Sequence, residues 1–280
     1  MSNKKDSLGD RMKNYENVTR TYLTRRIPVI IRLDGKAFHS FTRGFKKPFD
    51  DILVKSMQDT MKYLCENIQG CVLGYTQSDE ITLVLVDYQS RDTAAWFDNN
   101  IQKMVSISAS MATLAFNKSF SDNVHGYMYD CCEDFGSHVI PERQKDYDRA
   151  YNVYLKELNT ATFDSRVFNI PKEEVVNCLI WRQQDSTRNS IQSVGQAYFS
   201  HKELHKKNCS NIQDMLMLEK NINWNDYPTT LKRGSCCIKK PQITQSSPEG
   251  EVVVRNKWII DNEIPIFTQD KEYVNKLVMI

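Results

Sequence analysis

One stretch constrains the fold more than any other: Val29-Ile30-Ile31-Arg32-Leu33, a short aliphatic run that stops on Asp34-Gly35. So short and so apolar a run reads as a strand buried within a sheet. After it the hydrophobic period changes twice. Ile52, Leu53, Met57, Met61 and Leu64 recur at helical spacing from Asp50 to about Asn67. Residues 71–76 and 81–86 then read as two strands, joined by Gln77-Ser78-Asp79-Glu80, whose length and composition suit a hairpin turn. Residues 94–116 carry small and apolar side chains without Gly or Pro, as a helix packed closely on a sheet would. This β-α-β-β-α order opens a ferredoxin-like βαββαβ unit, an antiparallel sheet with two helices on one face, and residues 166–170 supply its closing strand. The expected class is α+β.

Around that unit, residues 6–26 read as a charged helix ended by Pro28. Pro171 opens a helix with Glu173 and Glu174 in its first turn, running through Trp181 to about Tyr198. A short helix is expected beyond Ser210, and irregular strands broken by Pro241 and Gly250 from Leu231 onward; the tail from 246 suits either a sheet completion or an oligomer contact. The expected division is 1–135 and 136–280, the second part completing the sheet and adding helices. Lys and Arg number 37 against 35 Asp and Glu, so any basic surface must be local. The apolar runs fall short of the roughly 18 residues of a membrane helix. The first residues carry no signal core and are unlike an acid-poor transit peptide, so cytoplasmic residence is expected, an organelle being the compartment left open. Eight cysteines, with adjacent pairs at Cys131-Cys132 and Cys236-Cys237, read as reduced and mostly buried thiols.

The chemistry concentrates at two strand ends. Asp34 follows the first strand, and Asp79 and Glu80 sit in the hairpin turn, edges that lie side by side in this topology. Three converging carboxylates repel one another unless a cation neutralises them, and all-oxygen ligands select a hard ion such as Mg²⁺. Two such ions suit in-line phosphoryl displacement, which makes nucleotidyl transfer the natural reaction class. Gly35 lets the backbone approach a metal or phosphate closely, and Lys36, His39, Arg43, Lys46 and Lys47 supply donors in one loop. Taken singly, these segments also suit ordinary turns and a solvated basic face.

Five segments together, Arg32 through His39, Lys47-Pro48-Phe49-Asp50, Tyr75 through Glu80, Phe163-Asp164-Ser165-Arg166 and Trp181-Arg182-Gln183-Gln184-Asp185, resemble the successive signatures of the tRNA-histidine guanylyltransferase family of reverse (3′-to-5′) polymerases, over about residues 8–238. The resemblance implies a polymerase-palm-like fold, two Mg²⁺ ions, ATP, GTP or other nucleoside triphosphates, a tRNA substrate and a homotetramer. By position it makes Asp34, Asp79 and the Gly35 carbonyl the metal ligands, with Glu80 a supporting carboxylate. Asp34, Gly35, Lys36, Ala37, Phe38 and His39 would cradle the triphosphate with Ser78, and Lys47, Asp50 and Lys103 would surround the site. Where members dedicated to tRNA-histidine carry His-Ile-Asn-Asn, this chain reads Thr187-Arg188-Asn189-Ser190. That departure resembles the Thg-like branch, whose members restore truncated tRNA 5′ ends by copying the opposite acceptor strand.

Arg182, Arg188, Asn189, Lys206, Lys207, Lys232 and Arg233 form a candidate tRNA-contacting surface on the C-terminal helices, a solvated helix face being the plainer reading. His201, His205 and Cys209 have helical spacing that could chelate zinc, although Asn208 and Ser210 signal a helix end. Three other functions remain to be weighed: a tRNA-histidine-specific guanylyltransferase, a GGDEF-type nucleotide cyclase, for which the hairpin signature is wrong, and a catalytically idle tRNA-binding protein, which would have no reason to keep mutually repelling carboxylates.

Overall fold

A computed structural model of the chain describes residues 7–133, 145, 147–245 and 252–279. The first strand, β1 (Val29–Gly35), alternates its side chains between two covered faces. It lies between β3 (Glu80–Leu85) and β4 (Phe163–Asn169), both antiparallel to it. With β2 (Cys71–Gln77) the order β4-β1-β3-β2 is that of the ferredoxin-like unit, and β5 (Ser235–Gln245) and β6 (Val252–Asp261) extend it to six strands. The tail adds a strand to the sheet: β5 pairs with β2 from Leu73↔Ile238 to Thr76↔Ser235, and β6 pairs with β5 from Cys236↔Asp261 to Gln245↔Val252.

Following the short helices α1 (Ser7–Asn17) and α2 (Phe38–Phe41), the helix α3 (Asp51–Asn67) starts where expected because the Asp50 side chain caps it, accepting from the Leu53 amide. α3 and α4 (Ile101–Glu133) cover one face. There Ile31, Leu33, Ile81 and Leu83 meet Met57, Met61, Phe116 and Phe120 in one apolar cluster. The expected two-helix cover describes only this side. On the other face α5 (Val175–Tyr198) and, near the C-terminus, the helix spanning Glu272–Val278 bury Ile30, Leu73, Val84, Leu179, Phe267 and Val274.

Two helix boundaries differ from expectation. α1 stops at Asn17 and buries none of its residues, so no tertiary contact offsets the cost of extending it. The chain then runs to Tyr22, which bridges to Asn100. α4 begins at Ile101 because Phe97, Asp98 and Asn99 take left-handed backbone (φ 49°, 52° and 63°) and break the helix before it. Beyond α5 come α6 (His201–Leu204), α7 (Cys209–Lys220) and α8 (Thr229–Arg233). Cys65, Cys71, Cys236 and Cys237 are buried free thiols; the side chains of Cys131 and Cys132 lie outside the described residues. Among the described residues no helix is long and apolar enough to cross a membrane.

Candidate active site

Strand register brings the acidic residues together. Asp34 pairs with Glu80 on one side and with Asp164 on the other, so three carboxylates form a row across β3, β1 and β4. The hairpin turn has only two residues, Ser78 and Asp79, and the Gly35 amide donates to the Asp79 carbonyl at 3.0 Å, fixing the turn beside the end of β1. Ser78 holds a left-handed φ of 55°, as does Ala37 at 56°, so two non-glycine residues carry backbone strain at this one edge. The Ser78 hydroxyl donates to the Asp79 carboxylate at 3.0 Å.

Burial and the neighbouring negative charges of Glu80 and Asp164 push the Asp34 carboxyl upward, against the pull of Arg166 and Arg32. Asp79 is also raised, first by burial and then by Asp34 and Glu80, with the Ser78 hydrogen bond opposing. Glu80 is differently placed. Its carboxylate accepts from Arg182 and, at 3.5 Å, from Arg32, so two guanidinium groups already neutralise it. Among the described residues no group of three or more His, Cys, Asp or Glu is arranged to hold a metal ion. What remains for a hard cation is the Asp34 and Asp79 carboxylates with the Gly35 carbonyl, an all-oxygen set whose two acids are raised in the way a cation would reverse.

Beside the hairpin lies a cavity of about 390 Å³, lined by His39, Lys46, Lys47, Gln77, Ser78 and Asp79 and walled on the far side by Thr230 and Leu231 of α8. The loop that supplies its lysines is held from within. Asp50 is buried, and its carboxylate accepts from the Leu53 amide (3.0 Å), the Lys46 amide (2.9 Å) and the Tyr154 hydroxyl (2.6 Å). Asp50 thus shapes the cavity wall rather than presenting a free carboxylate to a nucleotide. Phe38 packs in the aromatic cluster with Phe41, Phe116 and Phe163. Its ring carbon lies 2.3 Å from where a Cβ on Gly35 would stand, which gives the glycine a packing reason beside the close approach expected of it. Lys36 is exposed, its amide donating to the Thr162 carbonyl at 2.9 Å.

Several expected residues lie elsewhere. Lys103 sits in the first turn of α4 over the Phe97 ring, its amide donating to Asn100, and the adjoining Asn99 lines a recess with Val29 and Leu85, the end of β1 opposite to Asp34. The helix that carries it starts at the wrong end to reach the site within this chain. Arg182 is only 5% exposed on its side chain and is bound to Glu80 and Asp185, so it is an internal brace, not an RNA-facing surface. Arg188 is exposed and paired with Asp185 at 3.1 Å; Asn189 borders a polar recess beside Asp79 and Glu80. Lys206 and Lys207 line a separate cleft with His201 and His205, farther along α5. Lys232 donates to the Asn225 carbonyl, and the Arg233 carbonyl accepts from Tyr75. The zinc spacing fails because the chain leaves helix at His205 and Lys206 turns left-handed (φ 61°). The sequence reading assigned no role to Tyr154, 104 residues from Asp50, nor to Arg166, although strand alternation from Asp164 puts Arg166 on the face of Asp34.

A family model described as tRNAHis guanylyltransferase matches residues 9–171. A solved bacterial tRNA(His) guanylyltransferase (Thg1)-like protein in complex with ATP is 43% identical with a TM-score of 0.76, covering 97% of this chain and 99% of its own. One in complex with GTP is 38% identical with a TM-score of 0.75, covering 98% and 100%. A probable tRNA(His) guanylyltransferase of Dictyostelium discoideum is 24% identical over 268 residues, 90% of this chain and 91% of its own length. With the palm-like sheet, the acidic hairpin edge and the matched family segment in agreement, the chain belongs to the tRNAHis guanylyltransferase family of nucleotidyltransferases.

Proposed function

We propose that this protein adds nucleotides to the 5′ end of truncated tRNA in the 3′-to-5′ direction, with the opposite acceptor strand as template. The observation that carries the reading is a basic cavity large enough for a nucleotide that is lined by Asp79, whose turn is tied by the Gly35 amide to the strand end that carries Asp34. The related bacterial proteins are named as complexes with ATP and with GTP, which supports nucleoside triphosphates as occupants of that cavity. The absence of a histidine at Thr187 favours templated addition over recognition of a histidine anticodon. Base choice then comes from pairing, and the protein needs to read only RNA shape and backbone, in keeping with a net charge of +2.

Asp34, Asp79 and the Gly35 carbonyl would hold Mg²⁺, two ions in the reading carried over from the family. When bound, the metal supplies charge stabilisation to the attacking and leaving oxygens. The chain's own groups do the remaining work. His39, Lys46 and Lys47 hold the triphosphate and offset the charge that builds on the departing pyrophosphate. Arg32 and Arg182 bind the Glu80 carboxylate, so Asp34 is the member of the row left without a close cation. In the first step the RNA 5′-phosphate attacks the α-phosphorus of ATP and pyrophosphate leaves; in the second the 3′-hydroxyl of an incoming nucleotide attacks the activated 5′-phosphorus and AMP leaves. A homotetramer sharing one tRNA between subunits belongs to the same proposal.

The test uses purified protein, Mg²⁺, ATP, the four nucleoside triphosphates and labelled tRNA lacking its first 5′ nucleotide. Extension by the base complementary to the acceptor strand is the expected result. Addition of guanosine to tRNA-histidine alone would identify the anticodon-reading enzyme instead, and retention of tRNA without extension would sink the catalytic reading.

A further inference from the structure

Away from the hairpin edge, a second cleft has no part in the reading so far. Its volume is about 500 Å³, and it lies between the second half of α5 and the segment around α6, with buried Phe199 at its base and the exposed side chains of His201, His205, Lys206 and Lys207 around it. The chain leaves helix at His205, Lys206 turns left-handed (φ 61°), and the Lys207 amide donates back to the Leu204 carbonyl at 3.0 Å. That turn holds the two lysines beside the two imidazoles.

The positive charge here is uncompensated. Glu203, the acid of α6, is used locally, its carboxylate accepting from the Ser200 amide at 2.7 Å and the Ser200 hydroxyl at 2.6 Å. Lys46, Lys62 and Lys240 each have a carboxylate within 4.0 Å, whereas among the described residues Lys202, Lys206 and Lys207 have none. The shape narrows the choice of polyanion. A duplex presents a convex surface, but an unpaired strand can put its bases into a cleft. The His201 and His205 rings, 6.5 Å apart, offer faces for stacking, and the Gln192 and Gln196 amides can both donate and accept at base edges.

Distance supplies the link to the reaction. Arg182 ties α5 to Glu80 at the hairpin edge, and Gln192 and Gln196 stand farther along the same helix, about 15–21 Å away at 1.5 Å per residue. Templated addition requires the template strand to run past the RNA 5′ end, so unpaired nucleotides must leave the reacting centre. About five of them at stacked spacing cover that distance.

We propose that the cleft between α5 and α6 binds the unpaired 3′ end of the template strand, with bases stacked on His201 and His205 and phosphates held by Lys206 and Lys207. The inference rests on the function proposed above. It gives the RNA a hold on its template strand that is separate from the nucleotide cavity.

The test measures binding, without ATP, of tRNA lacking its first 5′ nucleotide, with the unpaired 3′ strand either complete or trimmed to the single templating nucleotide. Wild type should bind the trimmed RNA about ten-fold more weakly, the size expected from losing one stacked base. His205→Ala and the double variant Lys206→Ala/Lys207→Ala should bind the complete RNA about as weakly as wild type binds the trimmed one, and should bind the trimmed RNA as wild type does. Equal binding of the trimmed RNA also certifies that the variants are folded. A wild type indifferent to trimming, a trimming effect that persists in both variants, or variants that weaken both RNAs equally, as contacts to the duplex backbone would, overturns the assignment. Extension of the complete RNA by wild type, run alongside, separates the two claims: templated extension with a persisting trimming effect in the variants removes only the cleft's role, whereas no extension removes the function reading itself.

Discussion

The two faces of the sheet follow different rules at the same end. On the α3 and α4 face, apolar packing continues to the hairpin edge: Phe38, Phe116 and Phe163 close it with ring centroids 5.2–5.4 Å apart. On the α5 face the apolar layer of Ile30, Val84 and Leu179 gives way, two residues along β1, to Arg32, Asp34, Glu80, Arg166 and Arg182. One face removes area from water; the other holds ionised groups near one another at some cost in repulsion. A rigid apolar floor lets a strained, charged edge keep its geometry.

The contrast can be broken from either side. The largest effect belongs to Asp79→Ala, which should abolish tRNA extension, a loss of at least about a thousand-fold on the scale of removing transition-state charge stabilisation, while thermal melting barely moves. Extension at the wild-type rate would refute the metal assignment. On the other face, Phe116→Ala should cost about 3–5 kcal/mol of stability, read as a lowered denaturation midpoint; a mild effect would mean that the floor is not what supports the edge. Arg182→Met should cost about 1–3 kcal/mol, discounted because Glu80 is partly solvated, and should reduce turnover more than triphosphate affinity. Tyr154→Phe removes one hydrogen bond, about 1 kcal/mol, and should raise KM for ATP with turnover little changed.

The smallest effect is a pH dependence. Asp34 is raised in the folded state, so folding favours its protonated form, and its repulsion weakens the protein above the folded value and vanishes below the unfolded one, about 3.9. Without divalent cations, Asp34→Asn should therefore melt slightly higher than wild type at neutral pH, with the gap closing as pH falls toward 4. A gap that widens on acidification would contradict the crowded-carboxylate account.

The elements that could be read in advance were those whose signal is local. The β1 run, the helical spacing from Asp50 onward and a hairpin turn within Gln77-Ser78-Asp79-Glu80 each follow from neighbouring residues, and together they place Asp34 on an edge beside Asp79. Residues whose contacts depend on distant partners are not legible in this way. Arg182 looks like a surface cation until its helix is laid over Glu80. Asp50 lines the cavity, and nothing near it in sequence shows that Tyr154 holds its carboxylate. The start of α4, and with it the place of Lys103, is set by three left-handed residues at 97–99 that composition does not locate.

By itself the sequence determined the order of elements and the pairing of acidic strand ends, because hydrophobic period and turn chemistry act over a few residues. Only tertiary structure decided which charges are spent and which are left for a ligand. Arg182 and Glu80 neutralise each other across 102 residues, while Arg166, on a strand of the same sheet, stays exposed at 3.5 Å from Asp164 and 4.0 Å from Asp34. Charge compensation depends on distance in space, and distance in space belongs to the fold.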